Sequence, residues 1–469
     1  MINLRHLVAI PLTFMLVLSA FALKTEAAYY LKDNKNNPIY LAGYGPYKHI
    51  FTVEWDYASF HTKLQEHYIN FYRLWPLHGF YKDGEVISGK FQLIYNINKE
   101  EKCDLTSFNQ SWWDDLKFLL ADANKKGIYV QISLFDDCSL EAHSQFRWRQ
   151  HPFNKRNNVN GVFDFGLSAD NEQGFYNLNN SLLLYYQELY VRKLIDETWP
   201  YKNVVYEIIN EGDAKGEWIN YWVDFIDKEF DKYTTEREPI ISHNAFPFYE
   251  PIYSGFDNPD IDMINWHAYA GSGKWKEGTD PEFIESLFKA HYGIRPQCYD
   301  EGPNLPEGKI TDEIRAYARR EMWSCFVNGG YVDIKDAHLD RRIDPANYVD
   351  EVLLDYFKYF GEFRESINFG NMIPHDELIT SPLSGKIHWD MLANPGNDYV
   401  VYVTGNNVDD EAEIDIILEK GSYKVKWFNP KTGKFFPAKY RVSGEGKKLL
   451  QLPKFTEDIV LYITRINSS

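Results

Sequence analysis

The sequence predicts an α/β chain: a closed (β/α)8 TIM barrel followed by a small all-β sandwich domain. Three features carry the prediction. Eight strand-like segments alternate with helical stretches between Asn37 and His338, and eight parallel strands are the number that closes a barrel. The stretches between them repeat apolar residues at helical spacing, as in Trp112, Leu116, Leu119, Leu120 and Ala123, so each has one face to bury against a sheet. Near Asn371 the pattern changes to short alternating runs separated by Gly, Pro and Asn turns, as in an antiparallel sandwich.

Residues 1–28 read as a signal peptide. Arg5 and His6 precede an apolar run from Leu7 to Leu23, and small residues at Ala20–Ala22 and Thr25–Ala28 offer cleavage sites. An uncleaved anchor is the competing reading, for which the run is short. The mature chain is therefore expected outside the cytoplasm, either secreted to the extracellular space or periplasmic. Residues 29–371 form the expected barrel, with strands "NPIYLAGYGPY", "INFYRLWP", "GIYVQISLFDD", "NVVYEIINEG", "EPIISHNAF", "IDMINWHAY", "RPQCYDEG" and "NGGYVDIKDAH". A helix between each pair of parallel strands implies right-handed crossovers. Residues 372–469 form the expected sandwich, from "KIHWDMLANPG", "DYVVYVTG", "EAEIDIILE", "GSYKVKWFNPKTGKF" and "EDIVLYITR".

Composition narrows the function. The 469 residues carry a formal charge of -18, which argues against nucleic acid and anionic membranes as partners, since both prefer basic surfaces. Aromatic residues make up 17% of the chain; they suit stacking on the flat faces of sugar rings and equally suit a large β-rich core. Of the four cysteines, Cys103 and Cys138 fall in expected loops where a disulfide between them is the modest expectation, while Cys298 lies in a strand and Cys325 in a helix. No CxxC spacing occurs. No metal or cofactor is expected: a metal-dependent barrel hydrolase carries a His-x-His pair at the end of strand one, and "YLAGYG" has no histidine.

The candidate site lies at the strand ends. "NVVYEIINEG" reads as a strand buried on both faces, yet it finishes on Asn210 and Glu211; the plain alternative is an Asn-Glu helix cap. Glu211 ends strand four and Glu301 ends strand seven, and two carboxylates facing across a barrel mouth are the minimal equipment for cleaving a glycosidic bond. Here "YEIINEG" and "YDEG" resemble the fourth- and seventh-strand signatures of the clan A retaining glycoside hydrolases, the cellulase and mannanase group of the 4/7 superfamily. The resemblance spans Pro38 to His338. It implies that Glu211 is the acid/base and Glu301 the nucleophile, that Arg73 in "NFYRLWP" holds the nucleophile, that His267 and Tyr269 in "NWHAY" line the site, and that Asn210 binds the sugar 2-hydroxyl.

Other residues keep two readings. Glu207, four positions before Glu211, shares its strand face and needs a buried partner, for which Arg73 is the candidate. Asp136, Asp137, His243, Asn244, Asp336 and His338 end strands, where each is suited to contact hydroxyls, cap a helix or face solvent. Trp75 is a sugar platform or part of the barrel wall. The pattern departs from many relatives at strand eight, where "YVDIKDAH" has no tryptophan; Lys335, Asp336 or His338 would then replace stacking with hydrogen bonding. The polar loop from His151 to Gly161 is expected to wall the cleft. "NPGNDYVVYV" and "KVKWFNPKTGKF" resemble the collagen-binding-type β-sandwich at the C-terminus of some cellulase-like glycosidases, for which a packing role is the simpler reading. The expected partner is an oligo- or polysaccharide with β-linkages, acted on by a monomer; the alternative is a non-catalytic carbohydrate-binding or adhesion protein, against which the presence of both acids counts.

Overall fold

The computed structural model describes residues 29–33, 35–46, 55–77, 94–100, 102–140, 148, 151–162, 172–212, 214, 216–233, 238–245, 257–267, 280–302, 305, 310–336, 339, 344–381, 387–405, 408, 412–436 and 441–466, without the side chains of 138, 172 and 173. The expected signal peptide, Tyr269 and His338 lie outside these residues. Strands β1 (Ala42–Gly45), β2 (Phe71–Leu74), β5 (Tyr129–Asp136), β6 (Val204–Asn210), β7 (Ile240–Ala245), β8 (Met263–His267), β9 (Gln297–Asp300) and β10 (Tyr331–Lys335) pair in parallel, and β1 pairs with both β2 and β10 to close the barrel. All eight segments read from the sequence lie on these strands.

Local chemistry starts the helices around the barrel. Side chains of Asp56, Asn180, Asp280, Thr311 and Asp350 accept hydrogen bonds from first-turn amides of α1 (Tyr57–Glu66), α3 (Ser181–Thr198), α5 (Pro281–Lys289), α6 (Asp312–Val327) and α7 (Glu351–Glu365). Helices α2 (Gln110–Lys125) and α4 (Gly216–Phe230) bury Trp112, Trp113, Trp218 and Trp222. These periodic apolar faces cover the barrel and leave the polar residues at the strand ends to form its mouth.

An antiparallel hairpin, β3 (Tyr95–Ile97) and β4 (Cys103–Phe108), precedes α2 and was not legible in the sequence. It changes the reading of Cys103. That residue starts β4 as a buried free thiol whose Sγ donates to the carbonyl of Asn157, so the expected disulfide with Cys138 is absent; Cys138's side chain lies outside the described residues. The polar loop beginning at His151 packs on this hairpin, with the backbone amides of Cys103 and Leu105 donating to the Asn157 carbonyl and to Asn160.

Beyond α7 the chain forms a second, antiparallel sheet of β11 (Ile373–Pro374), β12 (Ile387–Asn394), β13 (Asp398–Gly405), β14 (Glu413–Asn429), β15 (Lys434–Phe436), β16 (Arg441–Gln451) and β17 (Asp458–Arg465). Two segments expected as separate strands are one: Gly421 sits beside a register shift in β14 instead of in a turn. β14 pairs with β16 on both sides of the shift, up to Lys424, and with β17 from Tyr423 to Phe428, so one strand joins β16 to the rest of the sheet.

This sheet is apolar on both sides. Met391, Val401, Val403, Trp427, Leu461 and Ile463 fill the domain's own core, while Leu392, Val400, Tyr402, Phe428, Val460 and Tyr462 belong to the barrel core. At the seam the Trp323 ring stacks on Tyr402 at 6.0 Å, and Arg319 reaches Asp458 at 2.9 Å and Glu457 at 2.7 Å. The domains therefore share a packed interior.

Candidate active site

The two glutamates leave their strands by the same local device. β6 ends on Asn210 and is followed by Glu211-Gly212, and β9 ends on Asp300 and is followed by Glu301-Gly302, with Glu211 at φ 53° and Glu301 at φ 58°. A non-glycine residue in the left-handed region costs roughly 1 kcal/mol or more and clusters at functional positions. Glycine follows for steric reasons: a Cβ on Gly302 would meet Glu321 at 2.6 Å, and one on Gly212 would meet Ile209 at 2.6 Å.

His267, at the end of β8, stands between the acids. Its Nε2 lies 2.8 Å from Glu211 and 3.7 Å from Glu301, and its Nδ1 lies 3.1 Å from Asp300. One oxygen of Glu211, one of Glu301 and a ring nitrogen of His267 fall within 4.8 Å of one another. Burial alone would lower the His267 pKa, but Glu301, Glu211 and Asp300 overrule it and raise it to about 10. His267 is thus an imidazolium near neutrality, able to donate from both nitrogens.

Beneath this layer Arg73 on β2 organises the acids. Its Nη2 donates to both oxygens of Glu207, at 2.8 and 2.6 Å, and to Asn210 at 2.7 Å, while its Nη1 meets Asp300 at 3.1 Å and Glu301 at 3.2 Å. Lys335 on β10 takes the other oxygen of Glu301 at 2.8 Å. Both oxygens of Glu301 are therefore fixed by cations. Glu207 is wholly buried and also accepts from Gln131, Ser133 and Asn265; burial pushes its pKa up while Arg73 opposes the shift.

Arg73, Asn210, Glu211, Glu301 and His267 thus come together in the structure, and Glu207 pairs with Arg73. Asn210 also donates to Asp136 at 3.0 Å. Trp75 is a wall residue, 5% exposed, with Lys335 and Arg73 at 5.1 and 5.5 Å from its ring centre. Asp336 accepts from the Tyr44 hydroxyl and its amide donates to the Gly45 carbonyl, tying together the ends of β10 and β1. Asp137 accepts from Tyr176. On β7, Ser242 and Asn244 face inward to Gln131 and Asp300, so strand alternation turns His243 to the outer face, and Asn244 enters the cluster in its place.

Sequence reasoning missed Asp300, which joins Arg73, Asn244 and His267, and the inner layer of Gln131, Ser133 and Asn265. The signal was present as polar residues at every second position of buried strands, in Gln131/Ser133, Ser242/Asn244 and Asn265/His267. Glu211, His267 and Glu301 also form a metal-type donor set by residue class. Arg73 and Lys335 already occupy both oxygens of Glu301 and Asp300 holds the second nitrogen of His267, so an added cation there would be repelled by two buried positive charges.

No protein-family profile and no curated protein matches the chain. Solved structures do. The chain is similar to a protein described as a glycoside hydrolase, at 13% identity and TM-score 0.63 over 94% of this chain and 96% of that one. It is similar to a family 5 glycoside hydrolase from Bacteroides vulgatus ATCC 8482, at 13% identity and TM-score 0.63 over 94% and 92%. A γ-CGTase from alkalophilic Bacillus clarkii matches at 10% identity and TM-score 0.55 over 92% and 71%. The likeness lies in the fold, a glycoside-hydrolase-like TIM barrel with a following β-domain.

Proposed function

We propose that this protein is a secreted retaining glycoside hydrolase that cleaves β-glycosidic bonds in oligo- or polysaccharides. The observation that carries the reading is the separation of Glu211 and Glu301, whose nearest donor oxygens fall within 4.8 Å. Retaining enzymes hold their carboxyl groups about 5–5.5 Å apart, whereas inverting ones leave about 6.5–9.5 Å for a water. In the first step Glu301 attacks the anomeric carbon, the glycosidic C–O bond breaks, and the proton of Glu211 goes to the departing oxygen. In the second step a water gives its proton to Glu211 and displaces Glu301 from the anomeric carbon. Arg73 and Lys335 orient Glu301 for attack, and His267 donates to Glu211 in both of its protonation states. Asn210, anchored by Arg73 and Asp136, is placed to meet the 2-hydroxyl.

Tyr269 and His338 belong to this proposal as further sugar contacts, with Asp336 and Trp75 supporting the wall. The division into a signal peptide over 1–28, a barrel over 29–371 and a sandwich over 372–469 belongs to it as well. Proton NMR of the first-formed product from a panel of aryl β-glycosides and β-linked polysaccharides tests it. Product released first as the β-anomer supports the reading, while α-anomer, or no turnover on any member, overturns it.

A further inference from the structure

A second donor cluster lies far from the barrel mouth, where barrel helix α5 meets sandwich strand β12. Glu285, His388 and Asp390 each place one donor atom within 4.8 Å of the other two. Glu282, one helical turn before Glu285 on the same face of α5, brings its carboxylate to 3.9 Å from the Nδ1 of His388. We propose that His388 through its Nδ1, together with Glu282 and Glu285, binds a divalent cation of the zinc type that ties the barrel to the sandwich, with Asp390 holding the ring from its other nitrogen.

Three observations converge. The first is tautomer control: the Nε2 of His388 lies 3.1 Å from Asp390 Oδ2, an arrangement that places the proton on Nε2 and leaves the Nδ1 lone pair directed to the acids of α5. Metal-bound histidines are commonly oriented by such a carboxylate on the opposite nitrogen.

The second is unmet demand. Asp390 is fully buried, and among the described residues neither its Oδ1 nor the Nδ1 of His388 has a hydrogen-bond partner. A buried polar atom without a partner costs roughly 1–3 kcal/mol, and a cation on Nδ1 would satisfy that nitrogen while its ring stays anchored to Asp390.

The third is charge. Glu282, Glu285, Asp376 and Asp390 all face this seam, and the cation paired with them is Lys289, which lies 3.0 Å from Glu285 and 3.6 Å from Asp376. Among the described residues the acids of the seam thus outnumber its lysine. One imidazole with two carboxylates suits Zn²⁺, whereas Ca²⁺ takes oxygen ligands alone. Glu285 is 23% exposed in its side chain, and a rotamer change that releases Lys289 would bring it onto an ion.

The test uses the full chain, stripped with EDTA and titrated with ZnCl2 by calorimetry, with Tm followed in parallel. The wild type should take up Zn²⁺ and gain several degrees of Tm. His388→Gln and the more exposed Glu285→Gln should each lose at least tenfold in that affinity and lose the Tm gain, while Glu211→Gln in the barrel mouth should keep both. CaCl2 should leave Tm unmoved. Equal Zn²⁺ binding by the wild type and both seam variants overturns the proposal. So does a wild-type Tm that ignores excess Zn²⁺ and responds only to acid, which would make His388 a protonated clasp on α5.

Discussion

Glu211 and Glu301, on strands at different places round the barrel, leave their sheets through the same left-handed step and meet across one imidazole, that of His267. The symmetry ends at their surroundings. Glu301 is 1% exposed and held by two cations; Glu211 is 17% exposed and held by His267. On the proposed mechanism the first is fixed for attack and the second has access to a leaving group.

The two acids should therefore fail differently. Glu301→Ala should abolish turnover on every substrate, because among the described residues no other carboxylate is placed to form the covalent intermediate. Glu211→Ala should slow substrates with poor leaving groups by about 10²–10⁴-fold and spare those whose leaving group needs no proton. Azide should rescue Glu211→Ala with retained stereochemistry and Glu301→Ala, where it rescues at all, with inversion. Near-normal rates for Glu301→Ala would remove it from the mechanism.

Arg73 is the connection between layers. Replacing it by Met leaves Glu207, Asp300 and Glu301 without their shared cation in a fully buried site. Breaking a buried pair from one side costs about 3–5 kcal/mol, so urea unfolding should show at least that loss together with collapsed activity. A stable, inactive variant would mean that Arg73 acts on chemistry alone.

His267 supplies a pH signature. Its pKa rises from the usual 6.5 to about 10 in the fold, so its contribution to stability is fully present below pH 6.5 and is lost as pH climbs through about 10. The imidazole ¹⁵N shifts should report a protonated ring at pH 8, and Tm should fall more steeply over that alkaline window in the wild type than in His267→Gln. A ring that titrates near 6.5 would contradict the charge balance drawn for the site.

Much of this was legible because buried parallel strands are near-continuous apolar runs, and any acid or amide at their ends stands out, as in "YEIINEG" and "YDEG". Parity was harder. His243 and Asn244 are adjacent, and only the phase of β7 decides which one enters the barrel. Asp300 was overshadowed by Glu301 beside it, although Asp300 holds three of the site's residues. Strand β16, "RVSGEGKKLLQ", was missed because Leu450 is its one fully buried residue, so it carries no alternating signal. Gly421 looked like a turn because a glycine that relieves a register shift is indistinguishable from one that reverses the chain.

The seam between domains should matter to the whole fold. Arg319 is buried against Asp458 and Glu457 and lies over the Tyr356 ring. Arg319→Ala leaves Asp458 buried without its cation, at a cost of about 3–5 kcal/mol. If the sandwich is a packing module, Arg319→Ala should lower the unfolding midpoint of both domains together, followed by calorimetry as a single transition. Two separated transitions in the wild type would show that the shared interior does not couple them.

Glu321 on α6 offers the last test, because its carboxyl is buried against Gly302, next to Glu301, without a hydrogen-bond partner among the described residues. Burial, and then the nearby Asp333 and Asp300, raise its pKa well above the usual 4.5. The folded chain therefore keeps a proton that the unfolded chain loses. For a carboxyl shifted in this direction, stability is fully present below pH 4.5 and declines as pH rises, by up to about 1.4 kcal/mol per unit until the folded pKa is reached. Glu321→Gln keeps the shape and the neutrality but has no proton to lose in the unfolded state. The variant should match the wild type near pH 4 and exceed it at pH 8 in urea unfolding, with the margin growing between. Parallel stability curves for the two proteins would mean that Glu321 is ionised in the fold, and that a cation not identified at this site compensates it.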